Sequence, residues 1–179
     1  MIKLFIIITE GDFLSLSEQN RKQIKIITLS ELNRRAEDTD KFIETSEKQY
    51  ADKISAAAES IAQCHKQKPL VLLSGPSGSG KTTTAYRIAD CLIAKGIKAV
   101  VISMDDYFVP GVIQPDENGR VDLEAPVRVD GELLKKDLRT LASGGEVQLP
   151  KFNFTDNSRQ QGNKIRCDGN TCLLYTSDA

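Results

Sequence analysis

The residues best suited to chemistry lie in one short segment, GPSGSGKTT, which spans positions 75–83. Its glycines permit the backbone angles with which successive amide groups point inward and surround a phosphate. Lys81 brings a positive charge to the outer phosphates, and the Thr82 hydroxyl suits Mg²⁺, which prefers oxygen ligands. The segment matches the G-x-x-x-x-G-K-[ST] pattern and predicts a site for ATP and Mg²⁺. The predicted nucleotide contacts are Gly75, Ser77, Gly78, Ser79, Gly80, Lys81, Thr82 and Thr83.

The elements on either side of this loop are those that the motif requires. The apolar run Leu70–Ser74 is typical of a buried parallel strand. A helix is predicted after the loop, ending near Gly96, and Lys98–Met104 predicts a second strand. Strand, helix and strand indicate an α/β fold of the P-loop NTPase type, a parallel sheet flanked by helices. The inner face of the helix is predicted to comprise Ala85, Ile88, Ala89, Leu92 and Ile93.

The second predicted strand ends in acidic and aromatic residues, Asp105-Asp106-Tyr107-Phe108. The carboxyl ends of parallel strands open onto the ligand crevice, so these side chains should lie near the outer phosphate. Asp105 can accept the proton of an attacking hydroxyl or help to hold Mg²⁺ through water. Asp106 is a second carboxylate for the acceptor, and Tyr107 and Phe108 can stack on a flat acceptor. The pattern predicts phosphoryl transfer, which needs positioning and charge neutralisation.

Two other classes of nucleotide-binding protein are not supported. A GTPase would carry Asn-Lys-x-Asp, but Asn163-Lys164-Ile165-Arg166 ends in an arginine. A transporter ATPase would carry Leu-Ser-Gly-Gly-Gln at the start of a helix. Ala142-Ser143-Gly144-Gly145-Glu146 instead follows a predicted helix, where glycines terminate it.

Composition limits the remaining function classes. The chain has 179 residues, the size of about one domain, and a net charge of −1, which provides no general attraction to nucleic acid or to anionic membranes. Its four cysteines form no Cys-x-x-Cys pair and are expected to be reduced thiols in the cytoplasm. The only histidine, His65, is predicted to be a solvated linker residue. The N-terminal apolar run is shorter than the roughly 20 residues of a membrane span. A homo-oligomer is compatible with these features, and the oligomeric state stays open.

Outside the loop, the pattern predicts further elements. Thr28-Leu29-Ser30-Glu31 fits a capping box, and residues 28–66 are predicted to form a helical extension that breaks around Asp38-Thr39-Asp40. Residues 1–27 show no clear periodicity. Val109–Ala125 is predicted to be a loop, and a helix is expected to begin at Asp130. Val147–Phe154 is expected to be extended, and Asn157–Gly162 to be a loop.

Four segments together resemble the uridine kinase and phosphoribulokinase family. They are GPSGSGKTTT, SMDDYF, DLEAPVRVDGELL and LPKFNFTDNSR, in the family's order and spacing. The resemblance implies that Asp105 is the catalytic base facing the 5′-hydroxyl of the acceptor. It also implies that Glu124 binds the ribose hydroxyls, where the family usually has an aspartate, and that Arg159 closes the acceptor pocket.

Two positions depart from that family's pattern. Phe152 stands where uridine kinases generally have a tyrosine, and Asn157 stands where they have a base-reading histidine. The expected function is transfer of the γ-phosphate of ATP to the 5′-hydroxyl of a nucleoside resembling uridine or cytidine. The alternatives are a kinase of another small alcohol (phosphoribulose, pantothenate or glycerate) and a non-catalytic module that senses ATP.

The last residues fit a native gene poorly. Cys172–Ala179 back-translates, with a suitable codon choice, to a transposase adapter used in sequencing libraries. We therefore expect residues 67–171 to be the N-terminal part of the kinase domain and residues 172–179 to be adapter read-through. A parallel sheet that lacks several strands exposes apolar surface, so the 179-residue chain alone is expected to be poorly stable and inactive.

Overall fold

The computed structural model describes the backbone of residues 3–7, 13–15, 28–111, 119 and 126–178, and the side chains of residues 28–111, 119 and 127–177. Most of the predicted loop Val109–Ala125 lies outside the described residues, and so does Glu124.

The strands are arranged in one five-stranded sheet and one two-stranded sheet. In chain order they are β1 (Lys3–Ile7), β2 (Phe13–Ser15), β3 (Leu70–Gly75), β4 (Lys98–Ser103), β5 (Glu146–Asn153), β6 (Ser158–Arg166) and β7 (Thr171–Asp178). The larger sheet has the order β2-β1-β3-β7-β4. Its strands β3, β7 and β4 are parallel, and β1 and β2 add antiparallel pairs at one edge. The predicted parallel sheet is therefore confirmed, with an antiparallel margin.

Helices cover both faces of this sheet. They are α1 (Leu29–Ala36), α2 (Thr39–Cys64), α3 (Lys81–Ala94) and α4 (Gly131–Ala142). Helices α2 and α3 pack with β3 and β7 into one buried cluster, and α4 packs with β4, β5 and β7 into a second cluster. Strand β7 contributes side chains to both clusters. Cys172 and Leu174 belong to the cluster with α2 and α3, and Leu173 belongs to the cluster with α4. Among the described residues, no helix is long and apolar enough to cross a membrane.

The predicted break in the N-terminal helical region is confirmed. Thr28 caps α1 by accepting a hydrogen bond from the Glu31 amide at 3.2 Å. The Glu31 carboxylate accepts hydrogen bonds from Arg34 and Arg35. Asp38 then caps α2, accepting from the Lys41 amide at 3.1 Å.

The C-terminal half of α2 is part of the main core. Three of its residues are buried against β3 and α3, namely Ile54, Ala58 and Ile61. Burying side chains of this size removes apolar surface from water, at about 25 cal/mol per Å². The helical extension and the sheet therefore depend on each other for stability.

The prediction of a loop over Asn157–Gly162 is wrong from Ser158 onward. This segment belongs to β6, which pairs antiparallel with β5. Most of its side chains are exposed or half-buried, so the strand shows no alternation of apolar and polar residues. A strand without a buried face has no period of two in its sequence, which is why the pattern was missed.

Two side chains lie in environments opposite to those predicted. His65 is buried, with its Nδ1 2.8 Å from the Ala62 carbonyl oxygen and its Nε2 3.2 Å from Asn170 Oδ1. It therefore links the end of α2 to the turn before β7 and is not a solvated linker residue. Ile93, predicted to lie on the inner face of α3, is 55% exposed, because the buried stripe ends at Leu92.

Candidate active site

The loop between β3 and α3 has the conformation that its glycines were predicted to permit. Gly78 and Gly80 have φ angles of 69° and 83°, in the left-handed region that other residues rarely adopt. A Cβ added at either position would meet no atom within 4 Å. The backbone conformation, and not a lack of space, therefore selects glycine at these two positions.

The loop ends at the N-terminus of α3. The first turn of a helix leaves amide groups without acceptors inside the helix, and the helix dipole makes this end positive. Gly80 occupies the N-cap and offers no side-chain acceptor. Such a helix end favours an external anion, and phosphate groups are bound in this way by the glycine-rich loops of nucleotide-binding proteins.

A cleft of about 280 Å³ opens beside this helix end. One wall is the loop and the first turn of α3, and the other is formed by the ends of β4 and β7. The cleft brings Asp105 together with Lys81 and Thr82, as the sequence predicts. The lining residues are Ser77, Gly78, Gly80, Lys81, Thr82, Thr83, Ser103, Asp105, Thr176 and Ser177.

Two groups in the loop are suited to a phosphate. Among the residues that the structure describes, Ser79 Oγ is buried with no hydrogen-bond partner. A buried hydroxyl without a partner costs free energy, which a bound oxygen atom would recover. The Lys81 Nζ donates to the carbonyl oxygen of Pro76 at 2.8 Å, which folds the ammonium group over the loop. Lys81 lines the cleft, whereas Ser79 and Gly75, which are also predicted contacts, are not among the lining residues.

Asp105 lies on a short 3₁₀ turn, Met104–Tyr107, that follows β4 directly. Its amide donates to Ser103 Oγ at 3.3 Å, and its carbonyl oxygen accepts from the Phe108 amide at 3.4 Å. Ser103, which also lines the cleft, was missed by sequence reasoning. Its position at the last residue of a strand, before the acidic pair, was the signal for it.

Thr176 and Ser177, at the end of β7, were also missed as lining residues. Ser177 Oγ lies 3.3 Å from Met104 Sδ, so this strand end touches the turn that holds Asp105. Both residues belong to the segment that is predicted to be adapter read-through, and that prediction assigns them no role in the site.

Tyr107 and Asp106 face away from the cleft. Tyr107 is 1% exposed, and its hydroxyl donates to Asp137 at 3.2 Å, so its ring offers no face to an acceptor. Burial raises the pKa of Asp137, and burial together with the neighbouring Asp137 raises the pKa of Tyr107. Asp106 forms an ion pair with Lys151 at 2.9 Å and accepts from the Phe152 amide at 3.4 Å. These contacts fix the 3₁₀ turn to α4 and to β5.

The aromatic residues beside the turn form a cluster. The rings of Phe108, Phe152 and Phe154 contact each other edge to face, with centroids 5.0–5.7 Å apart. The Arg128 guanidinium lies 4.9 Å from the Phe108 centroid. Phe108 and Phe152 are buried, whereas Phe154 is 61% exposed. Phe154, the first residue after β5, was missed, although its spacing of two residues from Phe152 was a usable signal.

The two remaining predicted acceptor residues lie at the β5–β6 hairpin. Asn157 has a φ of 52° in the turn, and its Nδ2 donates to the Gly111 carbonyl oxygen at 2.7 Å. Arg159 donates to Asp130 Oδ2 at 2.8 Å. This hydrogen bond, with that from the Leu133 amide, lowers the pKa of Asp130. Both hairpin residues therefore contact the chain that follows the 3₁₀ turn, and neither is among the residues that line the cleft.

The geometry agrees with comparisons to known proteins. The family model described as "Phosphoribulokinase / Uridine kinase family" matches residues 70–176. The chain belongs to this family. It is 32% identical over 95 residues to the uridine kinase of Lactobacillus helveticus (strain DPC 4571), covering 52% of this chain and 44% of that protein. It is 31% identical over 119 residues to uridine-cytidine kinase C of Dictyostelium discoideum, covering 66% of this chain and 25% of that protein.

One solved structure has the same fold as this chain. It comes from Silicibacter sp. TM1040, is assigned to a fructose transport system kinase, and has a TM-score of 0.52 at 19% identity. The match covers 70% of this chain and 63% of that chain. At this identity the likeness shows the fold alone. The chain spans less than half the length of the uridine kinases that it matches.

Proposed function

We propose that the protein to which this chain belongs is an ATP-dependent kinase acting on the 5′-hydroxyl of a nucleoside resembling uridine or cytidine. The observation that carries this proposal is the position of Asp105, which lines the same cleft as Lys81 and Thr82 but from the opposite wall. A phosphate held by the loop would then lie between a cationic side chain and a proton acceptor. The names of the relatives support the nucleoside as acceptor.

The loop and α3 supply the binding of the triphosphate. Backbone amides and the buried Ser79 hydroxyl accommodate the phosphate oxygens, and Lys81 balances their charge. Among the described residues, no three His, Cys, Asp or Glu side chains form a metal cluster. That agrees with Mg²⁺, which keeps several waters and binds through few protein oxygens together with phosphates. Thr82 is the oxygen donor that fits it directly and Asp105 can hold it through water, and the ion would supply charge neutralisation when bound.

Asp105 supplies the proton acceptor in this proposal. The acceptor's hydroxyl oxygen bonds to the γ-phosphorus, the bond from that phosphorus to the β,γ-bridging oxygen breaks, and ADP leaves. The hydroxyl proton passes to the Asp105 carboxylate. A carboxylate is a weak base, with a reference pKa of about 3.9, but it suffices when the hydroxyl loses its proton late.

The aromatic cluster and the hairpin are proposed to hold the acceptor. Phe154 presents an exposed ring that packs against the buried Phe108, and Arg159 and Asn157 supply hydrogen-bond donors once their present partners are exchanged. Glu124 is proposed to bind the ribose hydroxyls, although it lies outside the described residues. Phe152 and Asn157 stand where uridine kinases generally have a tyrosine and a base-reading histidine. Because these two residues differ, a kinase of another small alcohol is the second candidate.

The test is transfer of label from γ-labelled ATP to a panel of acceptors by the full-length protein expressed from the source locus. The panel holds uridine, cytidine, purine nucleosides and the small alcohols phosphoribulose, pantothenate and glycerate. Labelled uridine or cytidine monophosphate is the expected product. Label on another acceptor would replace the nucleoside but keep the kinase. ATP binding without any labelled acceptor would contradict the kinase and favour an ATP-sensing module.

A further inference from the structure

Helix α2 lies outside the family match, yet it packs along the helix that begins at the phosphate-binding loop. Three side-chain pairs join them: Glu47 with Arg87, Tyr50 with Thr84, and Glu59 with Lys95. From the pair Tyr50–Thr84 to the pair Glu59–Lys95, at the C-cap of α3, the residue numbers rise on both sides, so the two helices run in the same direction. The middle part of α2 therefore lies beside the N-terminus of α3, where the anion is expected.

The contact between Tyr50 and Thr84 is the one nearest to the cleft. The Tyr50 hydroxyl and Thr84 Oγ1 lie 2.9 Å apart. Thr84 is buried and directly follows Thr83, which lines the cleft. Its amide donates to the Gly80 carbonyl oxygen at 2.9 Å, which closes the first turn of α3. Thr84 thus connects the loop glycine to α2.

The Tyr50 ring is held from a second side. The Arg87 guanidinium lies 4.8 Å from the ring centroid, and Arg87 also pairs with Glu47 at 3.8 Å. A cation over an aromatic face is attracted by the ring's quadrupole. The ring is therefore restrained by groups of both helices, and the hydroxyl is aimed at Thr84.

We propose that Tyr50 is a positioning residue for the triphosphate site, acting through Thr84 on the first turn of α3. The amides of this turn bind an anion only if the turn is correctly placed, so packing of α2 and binding of triphosphate favour each other. Such coupling is reciprocal: whatever α2 adds to ATP affinity, ATP adds to the stability of α2. The inference rests on the proposed triphosphate site and not on the acceptor or on transfer.

The first experiment is an equilibrium titration of the full-length protein with Mg·ATP, comparing wild type with Tyr50→Phe. The matched control is Tyr86→Phe, because Tyr86 is on α3 and 57% exposed. Tyr50→Phe should weaken ATP binding about three- to tenfold, the range expected for one hydrogen bond. The control should bind as wild type does, and the KM for the acceptor should not change.

A double-mutant cycle separates coupling from loss of structure. Thr84→Val removes the hydroxyl that pairs with Tyr50 and nearly keeps the shape of the side chain. Thr84→Ser keeps a hydroxyl at this position. The two single substitutions should each weaken ATP binding, the pair should be no weaker than one alone, and Thr84→Ser should bind nearly as wild type does. Additive effects would show that the two hydroxyls act independently and would overturn the inference.

Hydrogen exchange provides a measurement that does not depend on the kinase activity of the variants. Saturating Mg·ATP should slow exchange of the amides around Tyr50 in wild type, and this protection should disappear in Tyr50→Phe. Unchanged ATP affinity in Tyr50→Phe, with a lower melting temperature and no protection of α2 in wild type, would overturn the inference and leave the proposed function intact. A wild-type protein that does not bind ATP would overturn both.

Discussion

The Tyr107 hydroxyl donates a hydrogen bond to the buried Asp137 carboxylate, across the junction between the 3₁₀ turn and α4. The backbone strengthens this junction, because the Asp130 amide donates to the Tyr107 carbonyl oxygen at 2.9 Å. Tyr107 follows Asp105 by two residues on the same turn. The turn that carries Asp105 is therefore held by α4 as well as by the end of β4.

The first prediction concerns the pH dependence of stability at Asp137. Burial raises the pKa of this carboxyl in the folded protein above its value in the unfolded chain. Its contribution to stability is therefore full below about pH 4 and is lost as the pH rises through the folded pKa. Asp137→Asn keeps an oxygen acceptor for Tyr107 and does not ionise.

Chemical denaturation of both proteins at several pH values checks this. The free energy of unfolding of Asp137→Asn, minus that of wild type, should increase between about pH 3.5 and pH 7. The other carboxylates titrate in the same way in both proteins, so their contributions cancel when the two free energies of unfolding are subtracted. A difference that stays constant over this range would contradict the raised pKa.

The second prediction concerns Lys81. Lys81→Met should weaken ATP binding about 10- to 100-fold, because a charge-assisted hydrogen bond is lost while the rest of the loop remains. Lys135→Met, on the exposed side of α4, is the matched control and should bind normally. Isothermal titration with Mg·ATP measures both, and equal affinities would remove Lys81 from the site.

The third prediction is that Arg159 affects binding of the acceptor but not binding of ATP. Arg159 contacts Asp130 and is not among the residues that line the cleft at the phosphate-binding loop. Arg159→Met should therefore raise the acceptor KM about tenfold or more and leave the ATP KM unchanged. Arg139→Met, exposed on α4, is the control. Steady-state kinetics with each substrate varied in turn measures this split, and a rise in both KM values would indicate a general structural effect.

The fourth prediction concerns the segment that forms most of β7. Sequencing of the source DNA through codon 172 should depart from the adapter-like octapeptide and continue into further coding sequence. Thr176 and Ser177 would then be replaced in the cleft wall by the native residues. The 179-residue chain alone should melt without a cooperative transition. Source DNA that encodes the same residues Cys172–Ala179 would contradict the prediction, as would a cooperative melt with ATP turnover by the 179-residue chain.

The sequence predicted the parts of the molecule in which local conformation and chemistry coincide. The loop at Gly78 and Gly80 was predictable because only a few residue types adopt its backbone angles. Asp105 was predictable because the end of a parallel strand opens onto the ligand crevice. The side on which a residue of a short 3₁₀ turn lies has no such signal, so burial of Tyr107 was not foreseen. Hydrogen-bond partners that are distant in sequence have no such signal either. Asn170, which contacts the ring of His65, is an example.

The most direct test of the account is phosphate transfer by full-length wild type and Asp105→Asn, measured in a single turnover with γ-labelled ATP and the acceptor identified in the panel. Asp90→Asn, exposed on α3, is the control for loss of one carboxylate. Asp105→Asn should slow transfer by about 10²- to 10⁴-fold, while the Kd for Mg·ATP should stay within about twofold of wild type. Transfer by Asp105→Asn at a rate within about threefold of wild type would contradict Asp105 as the proton acceptor.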